Sequence, residues 1–225
     1  MELQRLAFSF FNLEVAGRYW QDILYGMWVT TYLGLAVIAT GLALGLVLAM
    51  ARSLQFKPAN FFIVVYADVF RALPPLVVII VLFFAFPYVG LAMSAFTATW
   101  LALSLVLAAF AEEIFWAGIL SVPKGQTEAA RSTGMSRVQT LMHVVVPQAV
   151  RLAIAPLTNR VIAITKGTAL GSVIAVHEII YYASSGASEA GNPTPLTLGA
   201  LAYLILFIPV VIFSRWIETR FAWKR

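Results

Sequence analysis

Residues 125–147 read GQTEAARSTGMSRVQTLMHVVVP, from Gly125 to Pro147, a polar and basic island in a chain otherwise built of long apolar runs. A glutamate followed by two alanines opens it, Gly134 interrupts it and Pro147 closes it. Here the chain can be addressed from water, so the island reads as a docking element for a soluble partner. The apolar runs around it decide the fold class.

Hydrophobic residues make up 61% of the 225 and charged residues 11%, against roughly 45–50% and about 25% in an average soluble domain. Lipid is the solvent that absorbs such a surplus. The net charge is +5, but the basic residues lie scattered between apolar runs, which excludes a nucleic-acid groove. There is no cysteine, hence no disulfide, thiolate chemistry or cysteine metal site. The histidines, His143 and His177, belong to no closely spaced acid–histidine motif and read as loop or interface residues. No metal site and no catalytic group is expected. No Gly-rich Lys-Ser/Thr phosphate loop is present, so the chain itself is not expected to bind ATP. Glu2, Arg5, Glu14 and Arg18 punctuate the N-terminal part, which does not resemble a cleavable signal.

Residues 1–22 carry two aromatic patches, with Tyr19 and Trp20 suited to headgroup depth. They read either as an interfacial segment or as a frayed lead-in to the first span. From Ile23 to Ala51 there is no charge, a length beyond the roughly 20 residues that cross the hydrocarbon. Gly34, Gly41 and Gly45 recur there with alanines and predict a close-packing face rather than a pore lining. A second apolar region, about 61–89, contains Asp68, Arg71, Pro74 and Pro75. The charged pair is three residues apart and can share a helix face, while the prolines interrupt the ladder. It is either a mutual salt bridge or a polar feature beside a translocation path. The third span, about 94–111, leads into Glu112 and Glu113, which diverge on a helix and are expected to pair with basic residues of another segment. The fourth, 153–176, carries Arg160 and Lys166, so it faces protein or water rather than lipid. Glu178 follows, then YYASSGASEAGNPTP (181–195) reads as a loop. Residues 196–213 form the fifth span, before an aromatic and basic tail.

Five alternating spans put Arg52 and Lys57, then Lys124, Arg131, Arg137 and Arg151, then Arg215, Arg220, Lys224 and Arg225 on one side. The positive-inside rule makes that side cytoplasmic and leaves the N-terminus extracytoplasmic.

Within the island, Gln126 to Thr133 predicts a short helix with a contact available between Glu128 and Arg131. Gly134 breaks it, and Ser136 caps a second short helix before Pro147. Ala129 and Ala130 would allow close approach by a partner, with Glu128, Arg131 and Arg137 as rim contacts. A plain amphipathic surface loop is the alternative.

The island resembles the cytoplasmic coupling loop of binding-protein-dependent ABC transporter permeases. That pattern is Glu-Ala-Ala, three residues, Gly, nine residues, then apolar-x-apolar-Pro; here it is Glu128-Ala129-Ala130, Gly134, Val144, Val146 and Pro147. More of the chain is similar to the polar amino acid (histidine/glutamine-type) uptake branch of the family. EIFWAGILSVPKGQTEAA (113–130) resembles the stretch before that loop. FRALPPLV (70–77) retains Arg71, Pro74 and Leu76, and NRVIAITKGTALGSVIAVHE (159–178) retains Asn159, Lys166, Thr168, Leu170 and Glu178. Ala72, Leu73, Val78 and Gly167 depart from the branch pattern, which bears on specificity wherever these side chains touch solute.

The resemblance implies an all-α integral membrane protein: a five-transmembrane-helix ABC importer permease fold with a cytoplasmic coupling helix. Residues 1–22 are then an N-terminal interfacial segment, 23–216 a single permease domain with its coupling loop at about 121–151, and 217–225 a basic cytoplasmic tail. Gly125, Glu128, Ala129, Ala130, Arg131, Gly134, Arg137 and Pro147 are the expected ATPase-coupling residues. Asp68, Arg71, Glu113, Lys166, Thr168 and Glu178 are candidates for a translocation path or for pairing helices, since an amino acid offers both a carboxylate and an ammonium. The implied assembly is multi-pass in a bacterial inner membrane. It joins a second permease subunit, identical or paralogous, two cytoplasmic ATPase subunits that use ATP and Mg, and an extracytoplasmic solute-binding protein. The competing reading is an ion-gradient-driven secondary transporter with Asp68, Arg71, Glu113, Lys166 and Glu178 as its polar pathway.

Overall fold

The computed structural model describes residues 8–221, which are almost wholly helical and contain no strand among the described residues. The expectations for Glu2, Arg5, Lys224 and Arg225 lie outside the described residues. Among the described residues four helices are long and apolar enough to cross a membrane, and five segments qualify when the broken pair described below is taken as one span.

Helix α1 (Leu13–Ser53) has 41 residues, about 60 Å at the usual rise, so it outruns the roughly 30 Å hydrocarbon layer. Asn12 starts it, its Oδ1 accepting the N–H groups of Glu14 at 3.0 Å and Val15 at 3.2 Å. Residues 13–22 are thus the opening turns of the first span's helix, with no break before the apolar run.

Helix α2 (Lys57–Ala72) starts with a proline in its first turn and ends at Leu73, whose backbone is extended. Pro74 is the reason, because it disfavours the helical conformation in the residue before it. Helix α3 (Pro75–Ile80) resumes beyond the break and continues as a widened π turn and a 3-10 turn to Val89. Gly90 ends the path in the left-handed region, φ +80°.

Helix α4 (Ala95–Ser121) is the most buried of the candidate spans. Helix α5 (Lys124–Ser132) and α6 (Arg137–Thr140) form the island, and a π turn leads into α7 (Val146–Lys166). A 3-10 stretch (Gly167–Ile174) follows. Helix α8 (Ile179–Ala190) then occupies most of the segment expected to be a loop. The Gly-, Ser- and Pro-rich composition misled that expectation. Glu178 caps the helix, its carboxylate accepting the Tyr181 N–H at 2.9 Å, and Gly191 closes it at φ +57°. Ile179 and Ala183 bury one face. Helix α9 (Thr194–Phe221) ends the described chain.

Contacts divide the residues into two compact units, each drawing on several helices. In the first (Met1–Val37, Pro75–Leu103, Thr165–Ile212), Ile23, Ile179, Ala183 and Ala202 form a core flanked by Met27, Tyr182 and Leu198. Glu178 is fully buried there, accepting the Tyr203 hydroxyl at 2.5 Å. Burial pushes its carboxyl above the ordinary range, against the hydrogen bonds from Tyr203 and the Tyr181 N–H, which favour the charged form.

The second unit comprises Ile38–Pro74, Ser104–Ile164 and Phe213–Arg225, with Ala49, Ala111, Phe115, Ala153 and Leu157 in its core. The expected packing face of α1 is realised here. A Cβ on Gly45 would sit 2.6 Å from the Ala111 Cβ and 2.9 Å from the Ala108 carbonyl. Any side chain there would force α1 and α4 apart, and without a hydrophobic drive between helices in lipid such close contact is what holds them.

Candidate coupling surface

The island is built from local signals in the second unit. Pro123 ends the descent from α4 and provides the extended residue before α5. At the other end, the Met135 N–H reaches the Ala130 carbonyl and the Gly134 N–H reaches the Arg131 carbonyl at 3.1 Å. This pair of bonds is a Schellman closure, which requires a left-handed residue at the position Gly134 occupies with φ +90°. Two residues later Ser136 and Gln139 exchange bonds: the Ser136 Oγ accepts the Gln139 N–H at 3.2 Å, and the Gln139 side chain accepts the Ser136 N–H at 2.8 Å. That capping box starts α6. The helix–glycine–helix expectation therefore holds, and the angle between α5 and α6 is set by hydrogen bonds at both ends of the turn.

Pro147 lies on the first turn of α7, directly after the π turn Leu141–Val145. Proline has no N–H to return to the preceding turn, and the widened ladder falls where that donor is missing.

The two sides of α5 differ. Ala130 is buried, while Gly125, Glu128 and Ala129 are exposed, and a Cβ on Gly125 would meet nothing within 4 Å. Lys124, Thr127 and Arg131, at spacings of three and four, share the face that lines a pocket of about 440 Å³. Arg137 and Thr140 of α6 close that pocket, and Leu54 and Ile119, at the ends of α1 and α4, form part of its apolar wall. The expected Glu128–Arg131 contact does not form: Arg131 turns to the pocket, and neither residue has an ion pair among the described residues. The sequence reading named Arg131 and Arg137 but assigned no role to Thr127 or Thr140. The spacing from Lys124 to Arg131 was the available signal for the shared face.

The other candidates separate into two groups. In the second unit Arg71 pairs with Glu113 of α4 in preference to its helix neighbour Asp68, whose oxygen is 3.9 Å away. Arg71 and Arg160 both lie over the ring of Phe110, at 5.7 and 4.2 Å. Glu112 and Glu113 diverge as expected, Glu112 going to Arg52. In the first unit Thr168 is fully buried and donates to the Thr165 carbonyl at 2.7 Å, Glu178 caps α8, and Lys166 is exposed. Val78, one of the departures from the family pattern, is buried. His143 is exposed on the π turn and His177 packs on Tyr181 at 4.4 Å between centroids. Among the described residues no group of three or more metal-ligating side chains converges.

Comparison with known proteins agrees with this architecture. Residues 16–223 match the family described as binding-protein-dependent transport system inner membrane component. A probable amino-acid ABC transporter permease protein, YckA of Bacillus subtilis, is 32% identical over 94% of both chains. A probable glutamine ABC transporter permease protein, GlnM of the same organism, is 33% identical over 87% of this chain and 91% of its own. The L-cystine transport system permease protein TcyB of B. subtilis is 37% identical over 72% of this chain and 69% of its own. Among solved structures, an amino acid ABC transporter crystallised with histidines superposes with a TM-score of 0.80 at 28% identity, covering 90% of this chain and 95% of that one. The MetNI methionine ABC transporter, at a TM-score of 0.64 and 18% identity over 91% and 96% of the two chains, shares the fold. With the match running through nearly all of its helices, this chain belongs to the family of binding-protein-dependent transport system inner membrane components, as a multi-pass transport subunit that works with an ATPase and other subunits.

Proposed function

We propose that the chain is the permease subunit of an ATP-driven importer of polar amino acids or related small zwitterions, and that the 125–147 island couples it to the ATPase. The observation that carries the coupling role is the exposed Gly125–Glu128–Ala129 face of α5, which has no partner among the described residues and is flanked by the Gly134 closure and the Ser136 capping box. The solute class is supported by the amino-acid, glutamine and cystine transport named for the relatives.

The remaining parts of the assembly follow from charge and family. The basic residues flanking the island favour a cytoplasmic position for it and for the C-terminus, with the N-terminus outside. Two permease subunits enclose the path, two ATPases bind below, and an extracytoplasmic receptor delivers solute. ATP and Mg belong to the ATPases. Closure of the ATPases presses on α5, and the rigid turn transmits the movement to α4 and α7. In the second unit Asp68, Arg71 and Glu113 are exposed candidates for contact with a zwitterion; in the first unit Lys166 is an exposed candidate, while Thr168 and Glu178 are buried.

The test is reconstitution of the whole transporter with its receptor in proteoliposomes, reading uptake and solute-stimulated ATP hydrolysis. Glu128→Ala should lower both at least tenfold while the assembly still inserts. Full coupling in that variant, or uptake that follows an ion gradient without any ATPase, would sink the proposal.

A further inference from the structure

The pocket behind α5 is not the face offered to the ATPase, and its chemistry is distinct. Lys124, Arg131 and Arg137 line it, and none of the three has a carboxylate partner among the described residues. No Asp or Glu lines it. A second observation points to a ligand: Thr140, also in the lining, is only 2% exposed, and its Oγ1 has no hydrogen-bond partner among the described residues. A buried hydroxyl without a partner is uncommon and costly. The three cations share the lining with it, and an anion among them would lower their mutual repulsion.

The walls narrow the choice of anion. The pocket opens between the ends of two membrane helices, where Leu54 and Leu120 are 52% and 65% exposed and Ile119, Val122 and Val145 continue the apolar surface. A ligand that fits has a phosphate-like head for the cations and the hydroxyl and an apolar body for the leucines. Basic pockets at the ends of membrane helices take anionic lipid headgroups for this reason.

We infer that this pocket binds the phosphodiester headgroup of an anionic phospholipid, with Arg131, Arg137 and Lys124 neutralising the phosphate and the Thr140 hydroxyl donating to one of its oxygens. The inference rests on the reading that this end of the spans meets the cytoplasmic leaflet. Bound there, the lipid fixes the inner face of α5 while the outer face remains free for the ATPase.

The experiment uses the complete transporter in nanodiscs of phosphatidylcholine containing phosphatidylglycerol, with retained lipid counted by native mass spectrometry. The wild-type chain should retain phosphatidylglycerol over phosphatidylcholine by at least tenfold, and the double variant Arg131→Gln with Arg137→Gln should lose that preference. Thr140→Val should weaken retention several-fold and Thr140→Ser should restore it, which separates the hydroxyl's role from a packing defect. Equal retention of the two lipids, or undiminished retention in the double variant, overturns the inference. So does displacement of the lipid by millimolar inorganic phosphate, which would make the site one for free phosphate. Loss of bound lipid whenever the ATPase is attached also overturns it, by giving the pocket to an acidic side chain of that partner. Because the readout is lipid retention, a failure here leaves the coupling role of Glu128 standing, and a coupling failure leaves the lipid count unaffected.

Discussion

Arg52, in the last turn of α1, donates through one Nη atom to both carboxylate oxygens of Glu112, at 3.0 and 3.3 Å, and Glu112 has no solvent exposure at all. The guanidinium also lies 4.8 Å from the centroid of the Trp116 ring. One side chain thus clamps the end of α1 to the middle of α4.

Removing Arg52 leaves the Glu112 charge buried and unpaired, whereas Arg52 itself keeps 21% of its side chain in solvent. Arg52→Ala should destabilise the second unit by about 3–5 kcal/mol, the usual cost of breaking such a pair, whereas replacing both residues by apolar ones of similar volume should cost far less. Thermal unfolding of the detergent-solubilised protein checks this. A single variant as stable as the wild type would show that the pair contributes nothing to holding α1 on α4.

Gly134 should tolerate no side chain without a backbone penalty. Its φ of +90° lies where L-residues are strained, and Gly134→Ala should cost about 1–2 kcal/mol locally. Since no neighbouring atom lies within 4 Å of the new methyl, the loss is conformational rather than steric. Hydrogen exchange should therefore rise in residues 124–140 and stay unchanged in α4 and α9. Loosening that spread through the helices, or no change anywhere, would contradict a hinge held by the Schellman closure.

The Glu178 cap should make stability depend on pH in one direction. Its carboxyl is held above the ordinary value of 4.5 in the folded chain, so at low pH both folded and unfolded states carry the proton and no penalty exists. As pH rises through 4.5 the unfolded state ionises first, and stability falls until pH passes the raised folded value. Compared with Glu178→Gln, which removes the titration, the wild type should lose stability as pH rises across that window. Tyr203→Phe removes a bond that favours the charged form, and should extend the loss to higher pH. A wild-type-minus-Gln difference that rises with pH would reverse the sign and refute the account.

The apolar runs, the island and its internal turn were legible in the sequence because each depends on neighbours in the chain. Hydrocarbon thickness fixes the length of a span, a left-handed turn demands Gly134, and Ser136 with Gln139 carries its own capping geometry. The same local reasoning misread the stretch after Glu178. Its glycine, serines and proline look like a loop, and α8 forms because burial of Ile179 and Ala183 outweighs composition.

Partnership was decided by tertiary structure alone. Glu112 and Glu113 could be seen to diverge, but that one meets Arg52, 60 residues away, and the other draws Arg71 off Asp68 depends on which helices pack together. Likewise the sequence supplied Lys124, Arg131 and Arg137 as scattered cations. Their spacing puts Lys124 and Arg131 on one face of α5, but only folding set them in one pocket with Arg137, the buried Thr140 and the apolar ends of α1 and α4, because no single segment encodes a pocket.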